Sequence, residues 1–190
     1  MALLTKNGYG QVEPNHLSAQ RTAQIYAQLP CDDAVEILEN GSFLKYDYAA
    51  GKCSVSTAAT TGEFMLVFNE IKLYDNARQG YKDFALKKSE MVDGVITPRL
   101  FKVNDGDIFT TNLVNVTTAK GSRVGKLLVP TVSENVAILT EKASPANGDE
   151  VYVIVKETTM PDGQEAVKVQ KLYTKHDVAV GGLSKKGDLK

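Results

Sequence analysis

The chain has 190 residues, of which 43% are hydrophobic and 24% charged, with a formal net charge of −1. That composition belongs to a soluble globular protein, and the length is enough to bury roughly 70% of the unfolded surface within one domain. A near-zero charge excludes a general nucleic-acid coat, which needs a basic face to displace counterions, and no uncharged apolar run is long enough to span a membrane.

Residues 1–30 stand apart from the rest. They hold four glutamines, two asparagines, two tyrosines and one histidine, but only three charged side chains, Lys6, Glu13 and Arg21. The opening half has no dense apolar face, yet it lacks the charge that keeps a disordered tail in water. Amide and tyrosine groups suit docking on a protein surface, because they hydrogen-bond without the desolvation cost of full charges. The expectation is an extended N-terminal arm. Ala23, Ile25, Ala27 and Leu29 alternate with Gln24, Tyr26 and Gln28, which favours a strand; a helix starting at Pro14 is the alternative.

From residue 31 the pattern becomes short β segments and turns. Residues 35–38 and 42–48 flank Asn40-Gly41, a strong hairpin signal, with Phe43 and Lys45 on one face and Leu44, Tyr46 and Tyr48 on the other. A second turn at 49–52 leads to a strand from Cys53. Residues 63–74 form the longest strand candidate, and its continuous apolar centre predicts burial on both faces. The polar stretch 75–90 allows a short helix over 81–88 or an exposed loop. A strand over 95–103 contains Pro98, which implies an edge or a bulge. Asn104-Asp-Gly-Asp107 is a tight turn before a strand over 108–114. Strands follow over 125–130 and 136–139, and a hairpin with a Pro161-Asp162-Gly163 turn joins 150–156 to 165–172. The fold class is all-β: a single barrel or sandwich of short antiparallel strands over 31–180, with at most one short helix and a flexible tail over 181–190.

Groups that carry chemistry are few. The two histidines, His16 and His176, are far apart in sequence, and two exposed or hydrogen-bonded side chains are expected. Cys31 and Cys53 lack metal-ligand spacing and read as free thiols of a reducing compartment. Asp32-Asp33 reads as a turn or cap, since neighbours on a strand face opposite sides. Residues 104–107 lack the further carboxylates of a calcium loop. Gly121-Ser-Arg-Val-Gly-Lys-Leu127 echoes a phosphate-binding loop, but it is one residue short and ends in Leu, so a basic turn is the better reading. Tyr46, Tyr48 and Lys45 on one hairpin read as packing rather than base stacking. Lysines at 171, 175, 185, 186 and 190 are the best candidate for a local basic patch, but a solvated, frayed terminus is the better reading. No catalytic residue, cofactor site or metal site is assigned, and an enzyme is not expected.

The stretches Gly8-Tyr-Gly-Gln-Val-Glu-Pro-Asn-His-Leu-Ser18 and Gln24-Ile-Tyr-Ala-Gln-Leu-Pro30, set before a β-body, resemble minor head proteins of tailed bacteriophages, the decoration or cement proteins. That resemblance implies a virion protein made in the host cytoplasm, bound to the outer capsid surface and bridging neighbouring capsid subunits. Its partner would be the major capsid protein, with self-association, for instance as a trimer, a further implied contact and neither nucleic acid nor membrane involved. The arm would add to a partner's sheet edge, with Tyr9, Val12, Leu17, Ile25 and Tyr26 as anchors and Gln20, Gln24 and Gln28 bonding around them. Alternatives are another phage structural part (head-fibre base, tail tube or connector) and a small-molecule or carbohydrate-binding β-barrel.

Overall fold

The computed structural model describes residues 2–5, 8–18, 28–55, 62–69 and 85–175. The protein is mostly β, and a curled antiparallel sheet forms a half-barrel. In chain order the strands are β1 (Ala2–Leu3), β2 (Val12–His16), β3 (Ile37–Glu39), β4 (Phe43–Asp47), β5 (Lys52–Ser54), β6 (Met65–Val67) and β7 (Ala85–Lys87). They continue as β8 (Leu100–Lys102), β9 (Ile108–Thr111), β10 (Val114–Val116), β11 (Leu127–Ser133), β12 (Val136–Glu141), β13 (Glu150–Thr159) and β14 (Glu165–Thr174). The main sheet runs β2-β9-β14-β13-β11-β12-β4-β6-β8, with β1 on β10, β10 on β12 and β5 on β4, while β3 and β7 form a separate pair. The β10–β12 pairing is parallel, an exception to the antiparallel expectation.

The β13–β14 hairpin is the backbone of the barrel and forms where the sequence places it. Met160 N–H donates to Gln164 O at 2.8 Å and closes the Pro161-Asp162-Gly163 turn. Both strands are longer than expected, ten residues each. The β11–β12 hairpin turns through Glu134 and Asn135, with Ser133 paired to Val136 and Glu134 at φ 56°. A non-glycine residue in the left-handed region leaves no Asn-Gly or Asp-Gly cue to read. The turn between β4 and β5 is as expected, with the Asp47 carboxylate accepting the Ala50 N–H at 2.9 Å.

The alternation in β4 and β6 separates two hydrophobic cores. Phe43 and Leu66 point into the barrel, beside Phe109, Leu128, Tyr152 and Val167. Leu44, Tyr46, Met65 and Val67 point the other way, into a second core with Cys31, Val35, Leu38, Cys53, Ile96 and Leu100. This is the two-sided burial that the apolar centre of residues 63–74 predicts, seen at 65–67. In the barrel core, the Phe43, Phe109 and Tyr152 rings meet pairwise with centroids 5.8 to 6.4 Å apart. The tilted, edge-on geometry suits aromatic quadrupoles.

Five expectations are corrected. Asn40-Gly41 is not a hairpin turn: β3 pairs with β7, and β4 pairs with β5, β6 and β12. The Asn40 side chain instead exchanges hydrogen bonds with the Asn69 backbone, donating at 3.1 Å and accepting at 2.8 Å. Gly41, at φ +95°, lets the chain change sheets; a Cβ there would lie 2.8 Å from Thr111 Oγ1. The 108–114 strand breaks at Asn112-Leu113 into β9 and β10, because the Thr111 hydroxyl takes the Leu113 N–H at 3.0 Å. Residues 85–87 are a strand, followed by a 3-10 turn at Lys88–Glu90, and the remainder of the expected helix lies outside the described residues. The strand expected over 95–103 shortens to β8, which does end the sheet path as Pro98 suggests.

The fifth correction concerns the expected arm, whose described residues, 2–5, 8–18 and 28–30, do not stand apart from the body. β1 pairs with β10 and β2 with β9, so the leading segment supplies strands to the same sheet as residues 31–180. The expectation fails because Leu4, Val12 and Leu17 are spread too thinly to make an apolar face. Each enters the common core singly. Residues 19–27 and the tail over 181–190 lie outside the described residues.

Candidate functional site

The residues expected to grip a partner divide into three groups. Val12 and Leu17, at 9% and 1% exposure, are core residues and offer nothing to a partner. Tyr9 is half-buried, with the Lys87 ammonium 5.4 Å from its ring centroid, and Gln28 is exposed. Gln20, Gln24, Ile25 and Tyr26 lie outside the described residues.

The leading segment is held by a seam of buried and part-buried polar contacts. Leu4 N–H donates to Val114 O at 3.1 Å, and the Thr5 hydroxyl donates to Asn112 O at 3.1 Å. Gly10 N–H donates to the Glu39 carboxylate at 3.0 Å. Gln11 is 1% exposed; its N–H donates to Asn112 Oδ1 and its Nε2 to Asp162 Oδ2, both at 2.6 Å. Burial pushes the Asp162 carboxyl up, but hydrogen bonds from Gln164 and Gln11 outweigh it and hold the group below its ordinary range. At the far end the buried Asp107 carboxylate accepts both the N–H and the hydroxyl of Ser18. Gly10 is needed for closeness, since a Cβ there would sit 2.6 Å from Asn40 O. Sequence reasoning missed Gly10, Gln11, Asn112 and Asp162. Their partners are about 30 to 150 positions away, beyond any local pattern.

The remaining candidates are structural. Asp107 also accepts the Asn104 N–H at 2.9 Å, so the carboxylate of the 104–107 turn is spent on the turn and on Ser18. Asp32 accepts the Ala34 N–H at 3.0 Å, whereas Asp33 makes an exposed ion pair with Lys52 at 2.9 Å. In the loop that echoes a phosphate cradle, the Gly121 and Arg123 N–H groups bind the Glu157 carboxylate at 2.9 to 3.0 Å. These bonds hold Glu157 below the usual carboxylate range and fill the anion position from within. Beside them Lys120, Arg123, Glu157, Thr158 and Glu165 line a cleft of about 230 Å³. Arg123 donates to Thr118 O at 3.0 Å and to Glu165 at 3.1 Å, so its charge is engaged internally.

Lys171, expected on a solvated C-terminal stretch, is instead 2% exposed. It pairs with the buried Glu150 at 2.9 Å and donates to Val103 O at 2.8 Å. Glu150 in turn accepts the Phe64 N–H, which fastens the segment before β6 onto the β13–β14 hairpin. His16 is exposed at the end of β2, and His176 lies outside the described residues. Lys45 sits 4.2 Å from the Phe64 ring centroid, Tyr46 is buried in the second core, and Tyr48 packs on Tyr46 with centroids 5.8 Å apart. Among the described residues no group of three or more His, Cys, Asp and Glu side chains converges as a metal site would require.

The described residues also expose several large apolar side chains. The second core is overlaid by the β3–β7 pair and the two 3-10 turns at Lys88–Glu90 and Val92–Gly94. This part of the molecule and the adjoining β4–β5 turn carry exposed Ile37 (48%), Tyr48 (66%), Val92 (85%) and Val95 (43%). Compared with known proteins, the chain matches no family model, no curated protein and no solved structure.

Proposed function

We propose that this chain is a structural protein that binds other proteins, of the kind that decorates an assembled phage capsid and bridges neighbouring capsid subunits. In this reading the major capsid protein is the partner, and docking uses the exposed apolar side chains around the second core in place of a free N-terminal arm. The observation that carries it is the exposure of Val92 and Tyr48 on short, well-fastened turns, while the charged groups of the cleft at Arg123 are engaged with each other. Rigid apolar anchors presented on a preformed scaffold cost little ordering entropy on binding.

The polar cleft at Arg123 is smaller than the roughly 300 Å³ at which ligand pockets begin, so that cleft does not favour the alternative of a small-molecule-binding barrel. The test is co-sedimentation with assembled capsids, paired with gold labelling of the protein on particles. Label over the whole head, lost in the Tyr48→Asp/Val92→Asp variant, is expected. Label at one vertex or along the tail means a different structural role, and unchanged binding by the variant refutes the docking face.

A further inference from the structure

Cys31 and Cys53 are 22 positions apart in sequence, yet their sulfur atoms are 3.4 Å apart in the second core. Two backbone hydrogen bonds bring them together. Cys53 N–H donates to Pro30 O and Asp32 N–H donates to Cys53 O, each at 2.9 Å, making an isolated parallel bridge between the two cysteines. Adjacent strands lie about 4.7 to 4.9 Å apart, inside the 4.4 to 6.8 Å separation of α-carbons that a disulfide spans. Both side chains are buried, at 4% and 0% exposure, and already face each other. Closing the gap from 3.4 Å to a bond of about 2.05 Å calls for small side-chain rotations within a fixed backbone frame.

We propose that Cys31 and Cys53 form a disulfide site, oxidised by a small-molecule disulfide such as that of glutathione, which locks the segment around Pro30 onto β5. The pair has the features of a cross-link rather than of a metal site, for among the described residues no third ligand joins it. The hydrogen bond to Cys53 and burial push the Cys31 thiol up, so in the closed protein it stays protonated and unreactive. Reaction therefore runs through local opening of the β4–β5 turn or of the strand leading from Pro30. One thiol then loses its proton and attacks the external disulfide, forming a mixed disulfide and releasing one small thiolate. The second thiol loses its proton, and its sulfur displaces the remaining small thiolate. The protein gives up two protons and two electrons, and the oxidant leaves as two thiols.

Cross-linking this loop removes unfolded-state entropy, and the expected rise in Tm is about 6 to 12 °C for a chain of this size. The test uses the full chain, equilibrated with oxidised or reduced glutathione, unfolded, alkylated and weighed intact. The expected oxidised product is a monomer lighter by two hydrogens, with no alkylatable thiol and a raised Tm that dithiothreitol reverses. Two alkylated thiols, a stable glutathione adduct without the cross-link, or disulfide-linked dimers overturn the proposal. So does an equal rise in Tm in Cys53→Ala, which has no second sulfur to give.

Discussion

Leu17 separates a chain that folds its own leading segment from one that lends it to a neighbour. Its side chain is 1% exposed and belongs to the same core as Val103, Phe109 and Val169. Leu17→Ala removes most of a fully buried side chain from a region bounded by strands, where little collapse can refill the space. Such changes cost about 2 to 5 kcal/mol, and near-complete burial puts this one at about 3 kcal/mol or more. For a chain of this length, that lowers Tm by roughly 6 to 12 °C. Leu3→Ala, at a site 43% exposed, is the control and stays within about 0.5 kcal/mol of the parent. Urea unfolding of the isolated protein, followed by circular dichroism, reads both: the midpoint falls for Leu17→Ala with the m-value unchanged. If Leu17→Ala unfolds at the parent midpoint, its side chain is not in the core and the packing described above is wrong.

Two further outcomes follow from charged groups that the fold holds by hydrogen bonds or ion pairs. Burial pushes the Glu141 carboxyl up, but hydrogen bonds from the Thr117 and Thr118 N–H and hydroxyl groups outweigh it and bring the group down to about 2, from an ordinary 4.5. Because the folded value is depressed, this stability is fully present above pH 4.5 and is lost as pH falls through about 2. The gap corresponds to about 3 kcal/mol before screening, and to about 1 kcal/mol at a carboxylate in such contact with solvent. Glu141→Gln is therefore less stable at neutral pH, and its deficit shrinks as acid is added; a deficit that does not vary with pH in denaturant titrations removes the carboxylate's role. Lys171→Met leaves the Glu150 carboxylate buried without its cation, at a cost of about 3 to 5 kcal/mol, and adding Glu150→Leu restores much of the loss. Equal stability of the single and double variants in thermal unfolding excludes that pairing.

Much of the β framework was legible locally. The Pro161-Asp162-Gly163 turn, the 49–52 turn and the alternation of Phe43 against Leu44 and Tyr46 each depend on neighbouring residues, and each is in place. The failures arose where a local signal was used by a distant partner. Asn40-Gly41 carries the strongest hairpin dipeptide in the chain, but the Asn40 amide serves Asn69 and the glycine makes room for Thr111. The leading segment looked unfit to fold because its apolar residues come singly. Val12 pairs with Thr111, and Leu4 bonds to Val114, about 100 positions onward. Cys31 and Cys53 are free thiols, as expected, but no local pattern shows that a parallel bridge aligns them.

Amide hydrogen exchange on the isolated monomer tests most directly whether the leading segment belongs to the half-barrel. The N–H groups of Leu4 and Gln11 donate to Val114 and Asn112 of the same chain, so both should exchange slowly, as the amides of the β13–β14 hairpin do. Exchange of Leu4 and Gln11 at the rate of an unfolded peptide, beside a protected hairpin, would contradict that and return the segment to the role of an arm.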